Sequence, residues 1–347
     1  MARITLGIGS SHAPQLATPP TEWGQRAVAD RKNKQLIYKG IQYDFDELLA
    51  LRGAVFDQEL TAEVWAERYA RARAAIAKLG ETIRESGVDV LVIVSSDHKE
   101  TFDDEVLSPF VVYWGETVEH VPFTQEALDH FPPGLAIAEV SNVPEVATTR
   151  QTDAELALHL IHGIQEEGFD PSASQRLPKG KYDDYGIPHG WGYILQQIQG
   201  GEDVLPFVPI FVNTFWHPNP PTARRSYDFG VALGKAIESY PKDIKVGVVA
   251  SGGLSHFVVD EELDHEFLEA LKNKDESVLA GYDADVLRSG TSELRNWIVT
   301  AGALAATDLE ATVVDYVPAY RSEAGTGAGL GFVSWSAPSG AASASAE

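Results

Sequence analysis

The stretch Val90-Leu91-Val92-Ile93-Val94-Ser95-Ser96-Asp97-His98 decides the fold of this 347-residue chain. Its first five residues are apolar and mostly β-branched, which is typical of a central parallel strand buried on both faces. The run then ends in two serines, an aspartate and a histidine. Open α/β sheets place their binding sites just beyond the carboxyl ends of such strands. The stretch therefore predicts a central strand that leads into a functional site.

The same arrangement occurs at two other places in the chain. Ile4-Thr5-Leu6-Gly7-Ile8 leads into Gly9-Ser10-Ser11-His12, and Val246-Gly247-Val248-Val249-Ala250 leads into Ser251-Gly252-Gly253-Leu254-Ser255-His256. In each case an apolar strand ends in small residues and then in a histidine. Because the carboxyl ends of parallel strands share one edge of a sheet, we expect these three histidines to meet there.

Predicted strands alternate with predicted helices along the chain, which favours an α/β fold. The periodicity of apolar residues predicts helices at 56–87, 153–167, 222–239, 261–289 and 292–304, main strands at 3–8, 90–94, 208–213, 244–250, 311–319 and 330–335, and loops at 9–20, 177–192 and 325–331. Neither a linker nor an internal repeat separates these elements. We therefore expect a single large domain over residues 1–335, with a central mostly parallel or mixed sheet flanked by helices. The alanine- and serine-rich tail, 336–347, is expected to be disordered.

The composition excludes several classes of function. The chain has 27 lysines and arginines against 51 aspartates and glutamates, a net charge of −24, so a nucleic-acid partner is not expected. It contains no cysteine, which excludes disulfides, thiolate metal sites and cysteine nucleophiles. The N-terminus lacks the apolar region of a signal peptide, and no apolar run reaches membrane-spanning length. A cytoplasmic location without a membrane partner is the expectation.

The ten histidines fall into groups with different expected roles. Four stand in loops after strands or beside glycine and are the candidates for chemistry: His12, His98, His189 and His256. His217 follows another strand, between a tryptophan and a proline, where it could line a pocket. Helical or polar surroundings predict structural or surface roles for the others: His159 and His162 in a helix, and His120, His130 and His265 at the surface. A cluster of imidazoles suggests a metal, a general base, or both.

A metal held by two of these histidines needs a further ligand, and the residue types leave three carboxylates open. They are Asp97, Glu100 and Glu293. Asp97 directly precedes His98, so its side chain is expected to point the other way if strand geometry persists. Its alternative role is to cap a loop or the start of a helix.

The motifs around these residues resemble those of the class III extradiol ring-cleavage dioxygenases, in particular the catalytic β subunit of protocatechuate 4,5-dioxygenase and its gallate and methylgallate relatives. The similar motifs occur in the family's order between residue 3 and about residue 335. They are Gly7–Pro14, Ser96–His98, Gly252–His256 and Ser289–Trp297, with support from Asn213–Pro221 and Gly302–Leu304.

The resemblance implies a role for each candidate residue. His12, His98 and Glu293 match the ligands of a ferrous ion, Fe(2+). His256 matches the acid–base histidine, and His189 matches a second histidine of the pocket. The chain departs from the family at Pro188, which stands where the family has an aspartate.

Two histidines and one carboxylate form the facial triad of non-haem Fe(II) oxygenases, which leaves positions open for a catecholate and O2. The resemblance therefore implies an oxidoreductase that opens a catechol-type ring beside the diol, in the catabolism of aromatic compounds. Protocatechuate, gallate, a methylgallate, homoprotocatechuate and a hydroxypyridone all stay open as substrates. The competing hypotheses are a zinc-dependent hydrolase or lyase and a non-catalytic binding protein of the same fold. A homodimer is the default expectation for the assembly.

The resemblance also draws attention to residues 21–53. The two-chain relatives have a small separate subunit near the site, and no matching domain follows residue 335 here. The chain instead has extra length between His12 and His98, which carries Trp23, Tyr38, Tyr43 and Phe45 at irregular spacing. We expect this segment to form a lid over the iron, with a surface elaboration or dimer contact as the alternative.

Overall fold

A computed structural model describes residues 1–53, 55–132, 134–182, 184 and 186–338. The strands found there are β1 (Arg3–Ser10), β2 (Leu36–Tyr38), β3 (Ile41–Tyr43), β4 (Val90–Ser96), β5 (Phe110–Tyr113), β6 (Thr117–His120), β7 (Thr148–Gln151), β8 (Ser172–Ser174), β9 (Phe207–Val212), β10 (Lys245–Ser251), β11 (His256–Val258), β12 (Glu310–Tyr320) and β13 (Thr326–Ser336).

Helices connect most of these strands. They are α1 (Trp23–Asp30), α2 (Phe45–Arg52), α3 (Ala62–Ser86), α4 (Gln125–Asp129), α5 (Ala136–Val140), α6 (Ala154–Glu166), α7 (His189–Tyr193), α8 (Ala223–Ser239), α9 (Glu261–Asn273), α10 (Glu276–Leu279) and α11 (Leu294–Leu304). A π-helical turn, Ile194–Ile198, extends α7, and a 3-10 turn, Ser289–Glu293, precedes α11. No helix among the described residues is both long enough and apolar enough to span a membrane.

One mixed sheet of nine strands forms the centre of the fold. Its order is β11-β13-β1-β10-β4-β9-β5-β8, and β12 pairs with β13. The three strands that precede the candidate histidines, β1, β10 and β4, are adjacent and parallel. Their carboxyl ends therefore lie at one edge of the sheet, as the sequence predicts. The expected α/β class, with a central mixed sheet flanked by helices, is confirmed.

Both faces of β4 are covered, which explains its unbroken apolar run. Val92 and Val94 belong to the core that the sheet forms with α6, α8 and α11. Leu91 and Ile93 belong to the core on the opposite face, together with residues of α3 and α7. All seven residues of β4 are buried. A helical layer on each face is the arrangement that parallel strands require.

Several predicted boundaries differ from the structure. The helix expected at 56–87 begins only at Ala62, because the Thr61 side chain caps its first turn. The helix expected at 261–289 stops at Asn273, because the backbone of Lys274 is left-handed, with φ of 50°. The glycine content of residues 325–331 and 177–192 predicted loops, and both predictions are partly wrong. Residues 326–331 are strand, paired with β12 on one side, and the expected loop at 177–192 contains the start of α7.

The tail was expected to begin at Ser336, but this residue is the last one of β13. The rest of that prediction falls mainly on residues 339–347, which lie outside the described residues.

Residues 21–53 form α1, the β2–β3 hairpin and α2, and they are anchored to the core at two places. Leu36, Phe45 and Leu48 pack in one buried cluster with Val258 of β11 and Ala324. Asp30 at the end of α1 accepts two hydrogen bonds from the Arg321 guanidinium, at 2.6 and 2.9 Å. Both side chains of this ion pair are buried.

We predict that this buried ion pair is needed to hold the segment in place. Asp30→Ala leaves Arg321 as a buried cation without its carboxylate, and should lower the free energy of unfolding by about 3–5 kcal/mol. Arg31→Ala is the matched control, because Arg31 pairs with Glu323 at the surface and such pairs contribute at most about 1 kcal/mol. Denaturant titration measures both values, and equal small losses would contradict the prediction.

Candidate active site

The structure brings His12, His98 and Glu293 together at the predicted edge of the sheet. His12 and His98 follow β1 and β4, and Glu293 ends the turn before α11. Glu293 Oε1 lies 3.1 Å from His12 Nε2 and in close contact with His98 Nε2. Ser96 Oγ donates to the same carboxylate oxygen at 3.1 Å. Three side chains of the ligand type therefore converge, although 281 residues separate the first from the last.

Hydrogen bonds decide which nitrogen of His12 carries its proton. Ser251 Oγ donates to the carbonyl of Gly190 at 2.6 Å, so its lone pair is free to accept from His12 Nδ1, 3.0 Å away. His12 Nδ1 therefore carries the hydrogen, and Nε2 presents a lone pair to the site. Such outer hydrogen bonds are the usual device that orients a metal-binding histidine.

This arrangement fits a cation. A lone pair on His12 Nε2 faces a carboxylate oxygen at 3.1 Å, and two acceptors this close need a proton or a metal ion between them. Burial lowers the pKa of His12, which disfavours a second proton on the ring. The carboxyl of Glu293 is held ionised, because the two imidazoles outweigh its burial and keep its pKa well below the ordinary value. A metal ion satisfies both groups.

Asp97 takes the capping role that the sequence left open. Its carboxylate accepts from the backbone N–H groups of Thr101 and Phe102, at 3.0 and 2.9 Å. These bonds hold the turn in which His98 adopts a left-handed backbone, with φ of 50°. Burial raises the pKa of Asp97 to about 7. Asp97 thus shapes the loop that carries His98.

Glu100, the other open carboxylate, pairs with His189. It is in close contact with His189 Nδ1 and accepts from the backbone N–H of the same residue at 2.9 Å. Burial alone lowers the pKa of His189, but the carboxylates of Glu100 and Glu139 reverse this and raise the pKa to about 10. His189 is therefore a buried imidazolium at neutral pH, and its Nε2–H is a donor.

The three histidines His12, His98 and His189 also form a compact group. One nitrogen from each lies within 4.8 Å of the others, so these three could hold a metal ion by distance alone. The His12 and His189 rings are 4.9 Å apart between centroids. His189 holds both protons in its pairing with Glu100, whereas the bond to Ser251 leaves a lone pair on His12 Nε2.

His256 stands on the other side of Glu293, with its Nε2 3.8 Å from Glu293 Oε2. Its Nδ1–H donates to the carbonyl of Leu254 at 3.0 Å, and burial lowers its pKa, so Nε2 carries a lone pair. Ser255 is fixed by Asp264, which accepts from both its N–H and its hydroxyl, at 2.8 and 2.6 Å. Burial raises the pKa of Asp264 to about 7.

Three residues of this site carry no signal in the sequence. Ser251 orients His12, Glu139 of α5 adds charge beside His189, and Asp264 of α9 fixes the turn before His256. Each acts through a contact between elements distant in the chain. Ser251 directly precedes the family-like motif Gly252–His256, but neither that motif nor any spacing marks the three residues themselves.

The structure also tests what the sequence indicated for His120 and His217. His120 is not a surface group: it is fully buried in β6, its Nε2 contacts the carbonyl of Asn142 at 2.9 Å, and burial lowers its pKa to about 4. A polar neighbourhood in the sequence misled the prediction, because β7 and α7 cover this strand. His217 lines a cavity, the role that the sequence left open for it.

The fold and the site together define an α/β protein with a cluster of histidines that could hold a metal ion. Residues 54–331 match the family model described as the catalytic LigB subunit of aromatic ring-opening dioxygenase. The chain belongs to this family. The matched residues include His98, His189, His256 and Glu293, whereas His12 lies before them and joins the site only through the fold.

Individual relatives of modest identity are also named as dioxygenases. The chain is 34% identical to a gallate dioxygenase of Pseudomonas putida KT2440 over 166 residues, 44% of this chain and 46% of the relative. It is 25% identical to a 2,3-dihydroxyphenylpropionate/2,3-dihydroxicinnamic acid 1,2-dioxygenase of Comamonas testosteroni over 183 residues, 52% of this chain and 47% of the relative. A Rhodococcus enzyme of the same name is 26% identical over 214 residues, 62% of this chain and 56% of the relative. The chain thus spans about half the length of these relatives.

We predict that Ser251 sets metal affinity through the tautomer of His12. Ser251→Ala removes the acceptor of the Nδ1 proton and should weaken metal binding about 10–100-fold, as loss of such outer partners does. Ser95→Ala is the control, because Ser95 Oγ donates to the carbonyl of Ser251 and not to a histidine. Competition with a chelator measures both affinities, and equal losses would show that the serines act only by packing.

Proposed function

We propose that this protein is an Fe(II)-dependent extradiol dioxygenase that opens a catechol-type aromatic ring beside its diol. One observation carries the proposal: His12 and His98 meet the carboxylate of Glu293 at one edge of the sheet, with the neutral His256 beside them. Two histidines and a carboxylate on one face suit ferrous iron and leave other positions open. Membership of the ring-opening dioxygenase family supports the same reaction.

His12, His98 and Glu293 are the proposed ligands, and His189 is not. A ligand must offer a lone pair, and the pairing with Glu100 keeps both ring nitrogens of His189 protonated. His12 and Glu293 instead present free lone pairs to the same point. Ferrous iron held by these residues would supply a Lewis acid that lowers the pKa of a diol hydroxyl.

The proposed acid–base group is His256. Its Nε2 lone pair can take a proton from the second hydroxyl of the diol and return it later to the opening ring. Its Nδ1–H bond to Leu254 keeps the ring in the tautomer that this step needs. His189 has the complementary role, because its Nε2–H can donate to the substrate or to oxygen as negative charge develops.

The names of the relatives suggest the type of substrate. Gallate and 2,3-dihydroxyphenylpropionate both carry neighbouring hydroxyl groups on an aromatic ring and a carboxyl group elsewhere. We propose an aromatic acid with a vicinal diol for this chain. Oxygen uptake by iron-loaded protein with a panel of such acids and unsubstituted catechol, with product absorbance recorded, tests the reaction directly.

Residues 21–53 are proposed to cover the site as a fixed wall. The β2–β3 hairpin packs on β11, and β11 begins at His256. A cover in this position excludes water from the reacting groups and shapes the pocket. Its buried anchors at Leu36 and Asp30 favour a wall that stays in place over a loop that swings.

The ligand assignment predicts different effects for two variants. Glu293→Ala should lose the iron, because it removes the only carboxylate proposed for the metal. His189→Phe should keep the iron, because its ring nitrogens are both protonated. Metal analysis after anaerobic loading and desalting measures the iron per chain. Retention by Glu293→Ala together with loss by His189→Phe would replace the proposed triad by three histidines.

The acid–base assignment predicts a variant that binds iron without turning over. His256→Phe keeps the size of the ring but removes the proton acceptor, so turnover should fall about 10²–10⁴-fold with the iron content unchanged. Initial rates of oxygen uptake and iron analysis of the same sample provide the measurement. Loss of the iron would make His256 a ligand, and full turnover would exclude it from proton transfer.

A further inference from the structure

A cavity of about 580 Å³ lies between the β2–β3 hairpin, the loop after β9 and residues 284–289. This volume falls within the range of small-molecule binding sites. The apolar part of the wall is formed by Ile37, Phe215, Pro218, Pro220, Ala284 and Leu287. Phe215 is 40% exposed, which is unusual for an aromatic side chain and leaves its surface open to a ligand. The size of the cavity and its apolar lining suit an aromatic ring.

One polar group of the wall is a buried cation. Arg295 of α11 lines the cavity and is 2% exposed. Its Nε donates to the carbonyl of Pro221 at 2.5 Å, and its Nη1 donates to the carbonyls of Thr214 and Leu287, both at 2.8 Å. Within the described part of the chain, Nη2 has no hydrogen-bond partner and no carboxylate lies within ion-pair distance of this guanidinium. A buried charge in this state is costly, and an anion beside Nη2 would offset the cost.

The other charged groups of the cavity do not form an ion pair with Arg295. Arg288 and Asp285 both line it, but they lie 3.3 Å apart and pair with each other. The remaining polar groups of the wall are Gln35, Gln42, His217, Thr222 and Ser289. Arg295 is therefore the buried cation of the wall, its Nη2 can still donate, and its planar fork suits a carboxylate.

The cavity is separate from the proposed metal site. Arg295 follows Glu293 by two residues at the start of a helix, and side chains at that spacing do not face the same way. The two sites nevertheless share a wall. Ser289 lines the cavity, and its neighbour Gly290 packs against His256 so closely that an added Cβ would lie 1.4 Å from the His256 carbonyl oxygen.

We propose that this cavity is an accessory binding site for an aromatic monocarboxylate, with the carboxylate on Arg295 and the ring against Phe215 and the proline-rich loop. The ligand needs no diol, because no metal ligand lines the cavity. The site therefore stands independently of the proposed ring-opening reaction.

Isothermal titration of the metal-free 347-residue protein with 4-hydroxybenzoate tests the proposal. This probe has one hydroxyl and so is not a diol, and neither metal nor oxygen is present, so the result does not depend on catalysis. We expect saturable binding of one molecule per chain. The neutral analogue 4-hydroxybenzamide should bind at least about 10-fold more weakly, because it lacks the charge that Arg295 stabilises. Equal binding of acid and amide, or no binding of the acid at millimolar concentration, would overturn the proposal.

Two variants locate the site. Ala284→Trp places an indole at an exposed position of the cavity wall and should abolish binding, whereas Ala66→Trp at an exposed position of α3 should not. Arg288→Gln should change affinity less than about 2-fold, because Arg288 is already paired and at the surface. Unchanged binding by Ala284→Trp would place the ligand elsewhere, and a loss of more than about 10-fold in Arg288→Gln would overturn the role of Arg295.

Discussion

The buried carboxylate of Glu293 is the group on which the arrangement of the site depends. It is 2% exposed, and an ionised carboxylate at such depth costs several kcal/mol unless donors and charges compensate it. The compensation comes from separate parts of the chain: His12 after β1, His98 and Ser96 at the end of β4, and the N–H of Gly253 after β10. These groups reach one point only because the three strands are parallel neighbours. The order of the strands in the central sheet therefore determines which groups surround Glu293.

Carboxylates also divide the histidines into two chemical states. Burial keeps His12 and His256 neutral, so that each can offer a lone pair. His189 is equally enclosed, yet Glu100 and Glu139 make it an imidazolium. The same side chain can therefore act as a ligand, a base or a donor according to its neighbours.

Residues that lie before the family match pack into the same domain as the matched residues. The family match begins at residue 54, yet β1 and His12 lie before it. β1 pairs with β10 on one side and with β13 on the other, so it is central to the sheet. Residues 21–53 are likewise anchored to β11 and to the turn that joins β12 and β13. The N-terminal part of the chain is therefore integral to the domain, and it supplies one proposed ligand and one wall of a cavity.

The sequence by itself determined the local features of this protein. An unbroken apolar run must be buried on both faces, so Val90–Val94 predicted a central strand without reference to any other residue. Three such runs ending in histidines predicted where His12, His98 and His256 would meet, because parallel strands share an edge. The resemblance to a known family added Glu293 to this set. Such inferences succeed because the signal lies within a few consecutive residues.

Only the tertiary structure decided what depends on contacts between distant elements. The choice among Asp97, Glu100 and Glu293 was open on residue type alone, since all three are carboxylates near a histidine. The fold directs Asp97 to backbone N–H groups, Glu100 to His189, and Glu293 to His12 and His98. The protonation states also depend on contacts between distant elements, because packing determines the burial and the charged neighbours of each group. The sequence thus determined which groups were available, and packing decided which of them share a proton or face a metal.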